Sequence, residues 1–119
     1  MQEYNVVLTW EAIYDIAEMA GYIECEFSIS RADQFQRDMQ NVIGKLGYMG
    51  DAFPKTQLLY RDYAIHKRVF PPSIIFYVCL ERTREVHVLR VLREEEDWER
   101  TLKFVNQYTY PYTGLGDIQ

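Results

Sequence analysis

A chain of 119 residues is enough for one compact domain and too short for two ordinary ones. Its 48% hydrophobic content supplies enough apolar surface to offset the entropy of ordering, which excludes wholesale disorder, while six glycines, four prolines and two cysteines exclude a collagenous or disulfide-stapled chain. A net charge of −5 argues against nucleic-acid binding through a global field and leaves only local basic patches open.

In chain order, the opening Met1-Gln2-Glu3-Tyr4-Asn5 lacks the basic stretch of a secretory signal. The longest uncharged apolar run, Val69 to Leu80, falls well short of the ~20 residues of a membrane helix and is broken by Pro71-Pro72. A cytoplasmic protein is expected, with Cys25 and Cys79 as buried free thiols.

Tyr4 to Leu8 reads as a strand ending at Thr9, a good N-cap, after which Ala12, Ile13, Ile16, Ala17, Ala20, Ile23 and Phe27 recur at helical spacing. Ser30 with Asp33 three residues on predicts a second N-cap, followed by the stripe Ala32, Phe35, Met39, Val42, Ile43 and Leu46. The short join between the stripes forces a helical hairpin. Periodicity then collapses around Gly50, Asp51 and Pro54, and Gly47 to Leu59 reads as an exposed loop.

Three strand-like runs follow, Tyr63 to Phe70, Ser73 to Glu81 and Glu85 to Leu92, the middle one apolar on both faces as in the centre of a covered sheet. The compact turn Glu81-Arg82-Thr83-Arg84 favours an antiparallel hairpin. Glu94 to Gln107 reads as a terminal helix with acids in its first turn and Trp98, Leu102 and Val105 inward. The predicted class is α+β, ordered β-α-α-β-β-β-α, with a helical hairpin on a small, mainly antiparallel sheet and a C-terminal helix. One domain is expected over 1–107, with a flexible tail over 108–119.

Charge is sorted along this order. Residues 1–44 carry eight carboxylates against Arg31 and Arg37, whereas 61–93 carry seven basic residues against Asp62, Glu81 and Glu85. Hairpin and sheet pair their charges, or these are solvated faces, or the basic face holds an RNA backbone or an acidic protein segment.

His66 and His87 lie on strands separated by the middle one, and no His-x-x-x-His or Cys-x-x-Cys spacing occurs, so neither a metal nor a cofactor is expected. Phosphate-cradling Gly-x-x-x-x-Gly-Lys and nucleophile-presenting Gly-x-Ser-x-Gly are both missing. Glu94 to Asp97 fail as a carboxylate pair because consecutive residues on a helix point apart. What remains is basic and aromatic. On the first of the three runs, strand alternation puts His66, Arg68 and Phe70 on one face and Ile65, Lys67 and Val69 on the other.

The opening Val6-Val7-Leu8-Thr9, Ala12, Asp15-Ile16 and Tyr22-Ile23, followed later by Ile74-Ile75-Phe76-Tyr77-Val78, Val86 to Leu92 and Asp97-Trp98, resembles the RelE/ParE superfamily of bacterial toxins over residues 4–105. That superfamily contains ribosome-dependent messenger-RNA nucleases and gyrase-directed toxins without nuclease activity, both neutralised by an antitoxin. The nuclease branch places an Arg before the middle-strand Tyr, where this chain has Ile74, and His or Arg after the last strand, where Arg93 is followed by Glu94-Glu95-Glu96-Asp97. RNA cleavage through the 2′-OH needs a base, an acid and cations, so this departure and the long hairpin Trp10 to Tyr48 resemble the ParE side more.

The resemblance therefore implies a toxin component of a toxin-antitoxin module that binds a protein target such as DNA gyrase and a cognate antitoxin, with partner contacts at Arg61, Lys67, Arg68, Arg90 and Arg93. Two alternatives stay open. One is a ribosome- and messenger-RNA-directed nuclease using His66, Arg68 and Arg93. The other is a non-toxic protein-interaction domain on the same scaffold. No membrane partner is expected, and homo-oligomerisation is undecided.

Overall fold

A computed structural model describes residues 3–111; the expected tail beyond Pro111 lies outside the described residues. The chain runs β1 (Asn5–Leu8), α1 (Trp10–Glu26), α2 (Ile29–Met49), a 3-10 turn (Gly50–Ala52), β2 (Lys55–Tyr60), β3 (Tyr63–Phe70), β4 (Ser73–Leu80), β5 (Glu85–Arg93) and α3 (Trp98–Leu102). The five strands form one sheet in the order β1-β5-β4-β3-β2. β1 runs parallel to β5 and all other pairs are antiparallel, giving the expected α+β hairpin-on-sheet architecture with one more strand.

Thr9 caps α1 as its residue type predicts. Its Oγ1 accepts the Ala12 N–H at 2.9 Å and donates to the Leu89 carbonyl at 2.8 Å, so one buried hydroxyl starts the helix and ties it to β5. The cap of α2 is Ser28, whose Oγ accepts the Arg31 N–H at 3.1 Å, and not Ser30, which lies inside the helix. The Phe27 and Ser28 N–H groups both turn back to the Ile23 carbonyl, closing α1 one step before Ser28 goes extended.

Hydrophobic burial makes two layers. On the hairpin side Ala12, Met39, Ile43 and Leu46 pack on Ile75, Tyr77, Val86, Val88 and Val91. On the other side Ile74, Phe76, Val78, Leu89 and Leu92 pack with Ile65, Leu102 and Tyr108. Alternation along β4 thus assigns Ile75 and Tyr77 to the hairpin, and a bulge opposite Phe76/Tyr77 makes Leu89 the extra residue between Val88 and Arg90. Along the hairpin Ala12, Met39 and Leu46 are fully buried, while Ile13, Ile16 and Ile23 are half-buried and Ala17 and Phe27 are exposed.

Four further expectations are corrected. First, the loop from Gly47 to Leu59 contains the end of α2 and edge strand β2, which pairs with β3 through the two-residue turn Arg61-Asp62, both at positive φ (51° and 71°) as a twisted hairpin requires. Its Lys55-Thr56-Gln57 start reads as loop because an edge strand needs only one apolar face. Second, the terminal helix is five residues long: Asp97 caps it by accepting the Arg100 N–H at 3.3 Å, and Phe104 at φ 69° turns the chain away. Third, Glu94 to Glu96 form a turn before α3, with the Glu94 N–H on the Pro72 carbonyl and the Glu96 carboxylate accepting the Arg93 N–H. Fourth, Cys25 is exposed and Cys79 half-buried, because Cys25 lies on the outer surface of α1.

The chain after α3 crosses the second face of the sheet. The Trp10 N–H donates to the Thr109 carbonyl at 2.8 Å, and the Thr109 N–H and hydroxyl donate to the Glu11 carboxylate at 3.1 and 3.0 Å. Tyr108 is buried, its N–H on the Tyr60 hydroxyl at 3.3 Å. No helix among the described residues is long and apolar enough to cross a membrane.

Candidate functional site

The residues expected to carry function are spread over two faces and one edge of the sheet. His66 pairs across with Tyr77, stacks on its ring at 5.1 Å between centroids, and holds the Phe53 carbonyl at 2.9 Å from Nδ1. A carbonyl only accepts, so Nδ1 carries the proton. Only 6% of His66 is exposed, between the sheet and the segment leading into β2. Arg68 shares this face, its guanidinium 4.6 Å over the Phe53 ring and its Nη1 donating to the Val69 carbonyl at 2.7 Å.

Lys67 lies on the opposite face, 5.3 Å over Trp98, as strand alternation demands. Arg93 ends β5 and lies 5.0 Å over Tyr22 of α1. Arg61 occupies the β2–β3 turn at the other end of the sheet, its Nε donating to the Asn106 carbonyl at 3.1 Å. Thus His66 and Arg68 share a face, and Arg93 lies at the far end of β5, two strands away from them.

Arg90 is committed inside the fold. Its Nε and Nη2 grip the Asp15 carboxylate at 2.7 and 2.9 Å, and the hydrogen bond to Asp15 raises the guanidinium pKa further against the opposing effect of burial. Among the described residues this is the only Lys or Arg ion pair, so a single charge pair joins the acid-rich hairpin to the base-rich sheet.

A second polar cluster lies at the turn end of the second face. His87 pairs across with Val78, opposite in face to His66. Its Nε2 is 2.9 Å from Glu85 Oε1 and its Nδ1 2.7 Å from the Tyr110 hydroxyl. With His87 neutral, Nε2–H donates to the carboxylate and Nδ1 accepts from the phenol, giving a carboxylate–imidazole–phenol chain. Burial pushes the Tyr110 phenol far up, so it stays protonated well into the alkaline range where an exposed tyrosine ionises. A cavity of about 440 Å³ opens beside this chain, lined also by Tyr60, Arg61, Tyr63, Leu80 and Arg82. Sequence reasoning missed this cluster. The Glu85-x-His87 spacing on one strand face was a readable signal; the 23-residue separation of His87 and Tyr110 was not.

No family model matches the chain and no curated protein matches it by sequence. Among solved structures, a chain of the chromosomal ParDE TA system from P. aeruginosa superposes with a TM-score of 0.66 at 12% identity, covering 78% of this chain and 98% of that one. The fold is therefore ParE/RelE-like, as the sequence resemblance implies.

Proposed function

We propose that this protein is the toxin component of a toxin-antitoxin module, acting in the cytoplasm by binding a protein target of the gyrase kind and neutralised by an antitoxin. The observation that carries this reading is the superposition on nearly the whole of a ParDE chain. Protein binding is favoured over RNA cleavage by the placement of the cations. His66 is stacked and covered, Lys67 and Arg68 point to opposite faces, and Arg93 is followed by Glu94, Glu95 and Glu96 in a turn beside it, so among the described residues no group of cations gathers around His66 to hold a scissile phosphate.

The partner-facing set is Arg61, Lys67, Arg68 and Arg93, each resting on an aromatic ring rather than on a carboxylate and so free to meet an acidic segment. Arg90 belongs to the scaffold instead.

Induced expression in bacteria tests the reading. Growth arrest relieved by co-expressing the product of a small adjacent reading frame is expected; undisturbed growth at full expression would favour the non-toxic interaction domain.

A further inference from the structure

Of the residues that line the cavity beside Glu85, His87 and Tyr110, only Arg61 belongs to the proposed partner-facing set. The cavity's volume of about 440 Å³ falls within the range of small-molecule sites, roughly 300–1,000 Å³. We propose that it binds a phosphate monoester attached to a flat ring, of the size of a nucleoside monophosphate, with Arg61 and Arg82 on the phosphate and the tyrosine wall on the ring.

The charge comes from two turns. Arg61 projects from the β2–β3 turn and Arg82 from the β4–β5 turn, and neither pairs with a carboxylate among the described residues. Arg61 is oriented by its Nε bond to Asn106, which leaves both Nη groups for a ligand. Two forks approaching from separate turns suit a tetrahedral anion with three oxygens, whereas one arginine already saturates a carboxylate. Glu85 opposes an anion, and the hydrogen bonds that its Oε1 accepts from His87 at 2.9 Å and the Thr83 hydroxyl at 3.4 Å leave its charge in place, so the two arginines have to outweigh it.

The wall is fixed in advance. Tyr110 is held by His87, His87 by Glu85, and the Tyr60 hydroxyl accepts the Tyr108 N–H. Little side-chain freedom remains to be lost when a ring stacks there, and such stacking on aromatic side chains tolerates many flat rings.

Calorimetric titration of the full-length protein with adenosine monophosphate, adenosine and inorganic phosphate tests the proposal. The monophosphate is expected to bind at least ten-fold more tightly than either fragment. Arg82→Ala, in an exposed turn, is expected to weaken it at least ten-fold with an unchanged circular dichroism spectrum and Tm, and Arg37→Ala on the outer face of α2 to leave it alone. No heat with the monophosphate at millimolar concentration would overturn the proposal, as would equal binding by adenosine, equal binding by phosphate, or full affinity in Arg82→Ala. Growth arrest or its absence leaves this result untouched, so the two readings fail separately.

Discussion

Asp15 on α1 holds Arg90 on β5 by two hydrogen bonds of 2.7 and 2.9 Å and also accepts the Val91 backbone N–H at 3.0 Å. β1 pairs with β5 only as far as Val88, so beyond that point the edge of β5 is without a neighbouring strand. The Asp15 carboxylate takes the place of that strand, and one helix residue satisfies both a bare strand edge and a half-buried guanidinium.

Asp15→Ala should therefore cost about 1.5–3 kcal/mol in urea unfolding, the range for hydrogen bonds to charged groups, since both partners are largely shielded from water. Glu18→Ala, one turn along the same helix, should cost under about 0.5 kcal/mol. Equal effects would mean the contact is ornamental. Charge reversal at Arg90 is expected to unfold the protein rather than to report on a partner, which makes Arg68 the better probe of association.

Two glycines of α2 should respond in opposite directions. A Cβ at Gly47 would sit 2.6 Å from the Tyr4 carbonyl oxygen, where the chain entering β1 passes against the helix, whereas a Cβ at Gly44 meets nothing within 4 Å. Gly47→Ala should destabilise by about 1–3 kcal/mol and Gly44→Ala should stabilise by about 0.5–1 kcal/mol. Thermal denaturation of both variants checks the pair, and a stabilising Gly47→Ala would refute the close approach.

Helix burial ranks the core. Leu46 is 0% exposed and Ile16 only half-buried, so Leu46→Ala should cost about 2–5 kcal/mol and Ile16→Ala clearly less. Chemical denaturation in which Ile16→Ala is the more damaging would place the centre of the core elsewhere.

The residues that spoke clearly in the sequence are those whose role is set locally. Thr9 announces its helix because a hydroxyl before an apolar stripe has one good use, and the all-apolar β4 announces the sheet centre. Ser28 and Ser30 are chemically alike, and the choice falls to the closure of α1 on Ile23, which patterning does not register. β2 was hidden by its polar edge, and the short α3 by acids that end up in a turn. The candidate site was half legible: alternation separates Lys67 from Arg68, but that Arg90 would be consumed by Asp15, 75 residues away, depends on tertiary packing alone.

Tyr108 carries a buried hydroxyl with no partner among the described residues, and burial pushes its pKa from 10.0 to about 12. The folded state therefore holds the phenolic proton more tightly than the unfolded state. That stabilisation is fully present below pH 10 and is lost as pH rises through about 12. Tyr108→Phe should remove this share of the alkaline sensitivity and raise neutral-pH stability by about 1 kcal/mol, since an unsatisfied polar atom disappears. Urea midpoints at pH 7 and pH 11 check both parts, and a destabilised Tyr108→Phe at pH 7 would show that the hydroxyl is bonded after all.

The central claim is that this ParE/RelE-like fold acts by holding a protein rather than by cutting RNA. Its most direct test is a single titration of the purified protein against gyrase with relaxed plasmid, run beside translating ribosomes with messenger RNA. Supercoiling that falls with added protein, together with intact messenger RNA, is the predicted result. Messenger-RNA cuts that disappear in His66→Ala or Arg68→Ala, with supercoiling undisturbed, would contradict it.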